Sequence, residues 1–121
     1  MKKTIKGKVI HGAKLGRQIG FPTANIDARR LTAIDNGVYA ARLKIAGKQY
    51  KAMANIGTRP SVDGHTRLLE THVFGYRGSL YGRYVKINLI KKIRDEQRFS
   101  SIEELRQQLA TDADLCRSQQ E

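Results

Sequence analysis

The clearest structural signal in the chain is the stretch VYAARLKIAGKQYKAMANI, which covers residues 38–56. On each side of the Ala-Gly-Lys segment at 46–48, apolar residues occupy every second position, with Tyr39 and Tyr50 on the apolar side. Strict alternation is the pattern of a half-buried strand, and a short glycine-containing segment between two such runs is typical of a turn. The stretch therefore predicts a β-hairpin.

Alternation outside the hairpin predicts three further strands, at residues 4–11, 67–74 and 84–93. The segment 57–66 contains Pro60 and Asp63-Gly64, which are turn residues, and it predicts a loop. The glycine-bounded segment 75–82 predicts a second loop. The chain is thus a series of short antiparallel strands joined by turns as far as residue 93.

The hydrophobic period changes after Phe99 from two residues to that of a helix. The apolar stripe at helical spacing consists of Ile102, Leu105, Leu109, Ala113 and Cys116. Ser100 and Glu103 form a capping box, which predicts a helix from about residue 101 to about residue 117. Several antiparallel strands followed by one helix predict a small β-barrel with a helix on its outside or across one end.

The composition fits one folded domain of 121 residues. The chain has no apolar run of the roughly 20 residues that span a bilayer and no apolar signal segment after Met1, so we expect no membrane partner. The single Cys116 fits a reducing cytoplasm, the expected location. The net charge is +12, concentrated in residues 1–60, which favours an anionic partner such as a nucleotide or nucleic acid. Many of these cations could equally be a solvated face.

Candidate ligands for a cation lie in the stretch GFPTANI, residues 20–26. Pro22 favours an extended backbone, in which Thr23 and Asn25 point to the same side. A hydroxyl and a carboxamide oxygen suit a Mg²⁺ ion that also contacts substrate phosphates. The alternative is a proline turn whose Thr and Asn side chains bond to nearby backbone.

The segment before this stretch is a basic, glycine-punctuated loop. Gly12 and Gly16 allow close backbone approach to an anion, and Lys14 and Arg17 would neutralise its charge. The loop matches neither a Walker A sequence nor a dinucleotide fingerprint. Ordinary turn glycines with solvated cations are the alternative interpretation.

Glu70 is a carboxylate in the middle of a predicted strand, where glutamate is disfavoured. It could act as a general base, or it could lie on a solvent-facing side of the strand. His11, His65 and His72 lie on separate segments without zinc-like spacing, so no metal site is predicted from them, and His72 is interpreted as a satisfied strand residue. Cys116 is interpreted as a core residue rather than a nucleophile.

Seven short motifs occur in a fixed order over nearly the whole chain. They are GxVxHG at 7–12, GRxxGFPTAN at 16–25, GVYA at 37–40, ANIGTRP at 54–60, LETH at 69–72, LYG at 80–82 and IRxExRF at 93–99. This series resembles the riboflavin kinase family. The resemblance implies a single domain over residues 1–121, with a six-stranded antiparallel Greek-key β-barrel and a C-terminal helix.

The same resemblance implies transfer of the ATP γ-phosphate to the ribityl 5′-hydroxyl of riboflavin, which gives FMN and ADP. It implies that Glu70 is the catalytic base and that Thr23 and Asn25 hold Mg²⁺. The residues implied for the nucleotide and its phosphates are Gly12, Lys14, Gly16, Arg17, Thr23, Asn25 and Asn55. Asp112 and Arg117 match an acid–arginine pair near the flavin.

The resemblance also relates the chain to the kinase module of two-domain FAD synthetases. The chain would be either a module excised from such an enzyme or a stand-alone relative of it. The alternative function is a non-catalytic basic barrel that binds nucleic acid, a flavin or a nucleotide. Nucleic acid is disfavoured because the tyrosines on the clearest strands share the apolar face. The joint presence of Glu70, Thr23 and Asn25 favours the kinase.

Overall fold

The computed structural model of the chain describes residues 3–10, 23–61 and 64–119, and for residues 59–61 it describes the backbone only. The strands and the helix are β1 Lys3–Lys8, β2 Thr23–Asp27, β3 Gly37–Ile45, β4 Lys48–Ser61, β5 Gly64–Val73, β6 Tyr84–Arg94 and α1 Ile102–Ser118. Within these ranges, no helix combines the length and the apolar character needed to cross a membrane.

The strands form one antiparallel sheet in the order β1-β6-β3-β4-β5-β2. Strands β3, β4 and β5 are consecutive neighbours, and β6 returns to pair with β3, which is a Greek-key arrangement. The two ends of the sheet meet just beyond β1, where the Ile10 N–H donates to the Asn25 carbonyl at 2.7 Å. The sheet thus curls into a barrel with one C-terminal helix, which confirms the expected fold class.

The predicted hairpin at residues 38–56 is confirmed. Strands β3 and β4 pair without interruption from Gly37 opposite Ile56 to Ile45 opposite Lys48. Ala46 and Gly47 connect them with φ values of 50° and 80°. A turn with positive φ at both central positions matches the right-handed twist of the two strands, so this short connection fixes their register.

The loop predicted at residues 57–66 is wrong. Strand β4 extends to Ser61, and residues 57–61 all pair with β5, including Pro60 opposite His65. The ladder between β3 and β4 ends at Ile56, so among the described strands this extension has β5 as its neighbour on one side only. A proline is tolerated in a strand whose N–H side has no partner strand, which is why the turn signal misled the prediction.

The other strand predictions are close to the observed bounds. Residues 84–93 correspond to β6, with Val85, Ile87 and Leu89 buried in the barrel as predicted. The first strand ends at Lys8 rather than at His11, which lies outside the described residues. Beyond it, the Val9 N–H donates to the Arg83 carbonyl at 2.9 Å.

Apolar residues form two layers. The larger cluster fills the barrel and includes Tyr39, Leu43, Ile56, Leu69 and Ile87. The second lies between the outer face of the sheet and α1, where Val38, Ala40, Met53 and Phe74 pack against Leu109, Ala113 and Cys116. Burial raises the pKa of the Cys116 thiol to about 12, which agrees with its interpretation as a core residue.

The start of the helix differs from the prediction by one residue. Ser101, not Ser100, is the N-cap, and its hydroxyl accepts from the Glu104 N–H at 3.1 Å, so Glu104 replaces Glu103 at the third helical position. The Ser100 hydroxyl instead bonds to the Glu104 carboxylate. With this register, Ile102 lies on the exposed side of the first turn, and its place in the predicted apolar stripe is wrong.

Candidate active site

Three polar side chains lie in one row across strands β2, β5 and β4. Glu70, near the middle of β5, is opposite Asn25 of β2 on one side and opposite Asn55 of β4 on the other. Residues directly opposite one another in antiparallel strands share a face, with Cβ atoms roughly 5 Å apart. The pairing therefore places one carboxylate between two carboxamides. We call Asn25, Glu70 and Asn55 the central row.

A second row lies beside the central row on the same face of the sheet. Thr23 of β2 is opposite His72 of β5. Each of them is two residues from a member of the central row, a separation of roughly 7 Å along a strand. Thr23 and Asn25 thus share one face of an extended segment, while Phe21 and Pro22 before them lie outside the described residues.

Two members of the central row are buried, and the third, Asn55, is half-buried. Only 7% of Asn25 and 5% of Glu70 is accessible to solvent. The alternative that Glu70 lies on a solvent-facing side of its strand is therefore excluded. A carboxylate in such a place is costly unless it interacts with neighbouring polar groups or serves the chemistry of a site.

Two acceptor atoms of the central row have no hydrogen-bond partner among the described residues: Asn25 Oδ1 and Asn55 Oδ1, both buried. An unsatisfied buried polar atom costs about 1–3 kcal/mol, so native proteins keep few of them without a functional reason. Carboxamide oxygens and the neighbouring Thr23 hydroxyl are neutral, hard ligands of the kind that Mg²⁺ accepts. The residues present thus fit a hydrated Mg²⁺ ion.

His72 is buried next to Glu70 on β5, and burial lowers the pKa of its imidazole to about 4. The ring is therefore neutral at physiological pH and adds no positive charge to the site. Its Nδ1 atom is buried without a hydrogen-bond partner in the described part of the chain, so the prediction that His72 is fully satisfied is not met. Within the same ranges, no three His, Cys, Asp or Glu side chains cluster as metal ligands.

Burial of neutral His72 gives a testable pH dependence. The unfolded chain binds a proton at this residue below pH 6.5, whereas the folded chain does so only near pH 4. Above pH 6.5, His72 is neutral in both states and does not lower the free energy of unfolding. As the pH falls from 6.5 to 4, protonation of the unfolded chain at this residue lowers the free energy of unfolding by about 3 kcal/mol. We expect urea unfolding of H72Q to show a correspondingly weaker loss between pH 7 and pH 4.

The exposed His65 provides the matched control for this experiment, since it lies on the same strand. The free energy of unfolding of H65Q should depend on pH as that of the unmodified chain does. The carboxylates are common to all three proteins and contribute equally to this dependence. Identical pH profiles for H72Q and H65Q would contradict the burial of a neutral imidazole at position 72.

An ion pair lies on β6 at the far end of the central row. Asn55 is opposite Val38, and Val38 is opposite Arg94. Arg94 Nε donates to both carboxylate oxygens of Asp112 on α1, at 3.2 and 3.0 Å, and its terminal nitrogen lies 2.8 Å from Oδ2. The Gln108 side chain donates to the same carboxylate at 3.0 Å. The helix is thereby attached to the end of β6 next to the site.

The acid–arginine pair expected on the helix has different partners in the structure. Asp112 is engaged by Arg94 and Gln108, as described above. Arg117 instead lies 2.6 Å from Asp114 and stacks on the Phe74 ring, 5.1 Å from its centroid. Residues five apart on a helix point in different directions, so one helix cannot easily join Asp112 to Arg117. The side chain that pairs with Asp112 comes from a strand.

Sequence reasoning assigned no role to Arg94 or to Phe99, although both belong to the IRxExRF motif at 93–99. The Arg94 guanidinium lies over the Phe99 ring, 5.7 Å from its centroid. Phe99 also lines a cavity of about 320 Å³ beside α1, together with Gln97, Glu104, Gln107, Gln108 and Thr111. The motif was the one sequence signal that could have drawn attention to Arg94 and Phe99. It did not reveal that Arg94 contacts Asp112, which lies 18 residues further along the chain.

The basic loop lies outside the described residues. Gly12, Lys14, Gly16 and Arg17 all fall within residues 11–22. Their assignment to the nucleotide phosphates stays a prediction. The described part of the proposed site consists of the two polar rows and the ion pair of Arg94 with Asp112.

The chain is similar to known proteins over nearly its whole length. The family model described as Flavokinase, riboflavin kinase, matches residues 1–119. A bifunctional riboflavin kinase/FMN adenylyltransferase of Escherichia coli (strain K12) is 50% identical over 109 residues, which cover 89% of this chain and 35% of that protein. The chain thus spans little more than a third of the length of this curated relative.

Two solved structures share the fold. The crystal structure of riboflavin kinase from Trypanosoma brucei matches with a TM-score of 0.63 and 27% identity, over 96% of this chain and 78% of that one. A Streptococcus pneumoniae protein described as a macrolide-efflux protein matches with a TM-score of 0.79 and 30% identity, over 97% and 39%. From the family match over nearly its whole length, together with these relatives, the chain belongs to the riboflavin kinase family.

Proposed function

We propose that this chain transfers the γ-phosphate of ATP to the ribityl 5′-hydroxyl of riboflavin and releases FMN and ADP. Membership of the riboflavin kinase family supports this reaction. The observation in the structure that carries it is the central row, in which the buried Glu70 carboxylate lies between the buried Asn25 and the half-buried Asn55. Phosphoryl transfer needs mainly positioning, charge neutralisation and one group that orients the nucleophile, and this row offers such groups.

In the proposed reaction, Glu70 accepts the proton of the ribityl hydroxyl. The hydroxyl oxygen forms a bond to the γ-phosphorus, and the bond from that phosphorus to the β,γ-bridging oxygen breaks. Glu70 is fixed by strand pairing on both sides, so its carboxylate is held in place for the incoming hydroxyl. Burial keeps bulk water away from the carboxylate and thereby disfavours hydrolysis of ATP.

Thr23 and Asn25 would hold Mg²⁺ in this proposal, and Asn55 would contact the nucleotide phosphates from the other side of Glu70. Held by these residues, Mg²⁺ would supply the positive charge that neutralises the phosphates. Gly12, Lys14, Gly16 and Arg17 complete the proposed phosphate site. For the flavin we propose the region of Asp112 and Arg117, with Asp112 acting through Arg94.

The test is incubation of the chain with riboflavin, ATP and Mg²⁺, followed by chromatographic measurement of FMN and ADP. We expect equal amounts of both products and loss of FMN formation when the divalent cation is chelated. Riboflavin binding, measured by quenching of flavin fluorescence, checks the fold and the flavin site without turnover. A folded chain that binds riboflavin but forms no FMN would contradict the proposal.

The relatives support a relation between this chain and longer, two-domain enzymes. The matched protein of Escherichia coli is bifunctional, and the chain corresponds to about a third of it. We propose that the chain is, or is related to, the kinase module of such a two-domain FAD synthetase, in the cytoplasm. FMN, the product of the proposed reaction, would then be the substrate of the adenylyltransferase step.

A further inference from the structure

The outer face of strands β1, β6 and β3 carries lysines in a cross-strand row. Lys6 of β1 is opposite Lys86 of β6, and Lys86 is opposite Lys44 of β3. Beside this row lie Lys8 of β1 and Arg42 of β3, each two residues from a member of the row and therefore on the same face. We call Lys6, Lys8, Arg42, Lys44 and Lys86 the lysine face.

Such a row is unfavourable for the isolated protein. Like charges directly opposite one another destabilise a sheet, and Lys86 has a lysine on each side. Strands β1, β3, β4 and β6 contain no Asp or Glu that could compensate them. The arrangement therefore favours an anion supplied from outside the sheet.

Protection of a sheet edge explains only part of this charge. Lysines on an end strand discourage pairing with another chain, and β1 is an end strand. Lys86 and Lys44 lie on β6 and β3, which have neighbours on both sides. Edge protection does not explain lysines on these interior strands, so Lys86 and Lys44 require a different reason.

An exposed aromatic ring lies on the same face. Tyr84 is opposite Lys8 and two residues from Lys86, and 76% of it is accessible to solvent. Tyr39 lies in the barrel core, as expected, whereas Tyr84 lies on the outer face. A flat ring next to regularly spaced cations is the combination that proteins use to bind single-stranded nucleic acid, by base stacking and phosphate contacts.

A cavity of mixed polar and apolar lining, which includes Leu89 and Ile90, extends this surface at the opposite end from Tyr84. It measures about 240 Å³, and its lining includes Lys3, Thr4, Arg42, Gln49 and Asn88. Two cations and several uncharged hydrogen-bonding side chains can accept a phosphate and a sugar or base edge. The aromatic ring, the lysine row and the cavity follow one another along the strand direction, as a linear polyanion would require.

We propose that the lysine face binds single-stranded nucleic acid as a function separate from the kinase. The surface lies apart from the central row, because α1 packs over Val38, Ala40 and Met53 between the two regions. A lipid surface fits less well, since the outward residues of these rows are Lys, Arg, Asn, Thr and Tyr rather than apolar groups that insert into a bilayer.

The experiment measures fluorescence anisotropy of a labelled oligouridylate of about 20 nucleotides, longer than the site of one small barrel domain. Salt is varied, because the slope of log K against log salt reports the number of phosphates contacted. In the variant K44E/K86E we expect weaker binding and a slope reduced by about 0.7 for each lysine. In Y84A we expect roughly 5- to 150-fold weaker binding, and in Y84F near-normal binding.

The matched control is R30E/R106E, which changes the net charge equally at two exposed positions outside the lysine face. It should bind the oligonucleotide almost as well as the unmodified chain, and the KM for ATP should be unchanged in K44E/K86E.

Equal weakening of binding in the control would overturn the proposal in favour of a general charge effect. Binding of poly-glutamate or of phosphatidylserine vesicles, but not of the oligonucleotide, would overturn it in favour of an acidic protein or a membrane. A kinase-inactive chain that still binds RNA would separate this function from the proposed reaction.

Discussion

Replacement of Glu70 with glutamine is expected to reduce the turnover of riboflavin to FMN by roughly a hundredfold to ten-thousandfold, the usual contribution of a positioned general base. Glutamine has nearly the same shape and keeps a polar side chain between Asn25 and Asn55, but it cannot accept the ribityl proton. The fold and the affinity for riboflavin should therefore change little. The measurement is single-turnover FMN formation at saturating substrates, with flavin fluorescence as the binding control.

The comparison variant E103Q removes a carboxylate from the exposed side of α1. Its turnover should equal that of the unmodified chain. If E70Q retained full turnover, Glu70 would lose its assigned role, and the central row would be a structural network. If E70Q lost riboflavin binding in parallel with turnover, the carboxylate would position the substrate rather than accept its proton.

Replacement of Asp112 with asparagine is expected to lower the free energy of unfolding by about 3–5 kcal/mol, because it leaves the Arg94 guanidinium without its charge partner. The pair is well shielded: 1% of the Asp112 side chain and 17% of the Arg94 side chain are exposed. Bidentate contact adds to the loss, since two hydrogen bonds are weakened by one substitution. Urea unfolding followed by circular dichroism provides the measurement.

Two further variants separate charge from packing. D114N breaks the neighbouring pair with Arg117, whose members are largely exposed, and should cost no more than about 1 kcal/mol. The double variant R94M/D112L removes both charges and should recover most of the stability, as buried ion pairs replaced by apolar residues often do. If the double variant were as unstable as D112N, the loss would come from packing of α1 and not from the unpaired guanidinium.

Local patterns predicted much of the fold. The hairpin at 38–56 was predictable because alternation and turn chemistry are both contained in neighbouring residues. The extension of β4 to Ser61 was not, because whether Pro60 is tolerated depends on which strands lie beside it. The helix was predicted to within one residue, and the choice between Ser100 and Ser101 as N-cap depended on backbone geometry that two adjacent serines do not reveal.

The sequence nominated Asn25, Glu70 and Asn55 as site residues, a prediction that stays untested, but it did not predict how they are arranged. Asn25, Glu70 and Asn55 come from three strands, and only strand register shows that they form one row. Alternation could not decide whether Glu70 faces solvent, because β5 is buried on both faces from Leu68 to Val73. Asp112 was paired with Arg117 on the strength of the resemblance, and the sequence gives no local sign that Arg94 reaches Asp112.

Asn25 has two tasks that use different atoms. Its backbone carbonyl receives the Ile10 N–H where the ends of the sheet meet, while its side chain belongs to the central row. Any residue supplies a carbonyl, so closure of the barrel does not depend on which side chain stands at position 25. Evolution can therefore alter the side-chain chemistry at this position without reopening the fold, and substitutions that test the proposed role of Asn25 should leave the barrel closed.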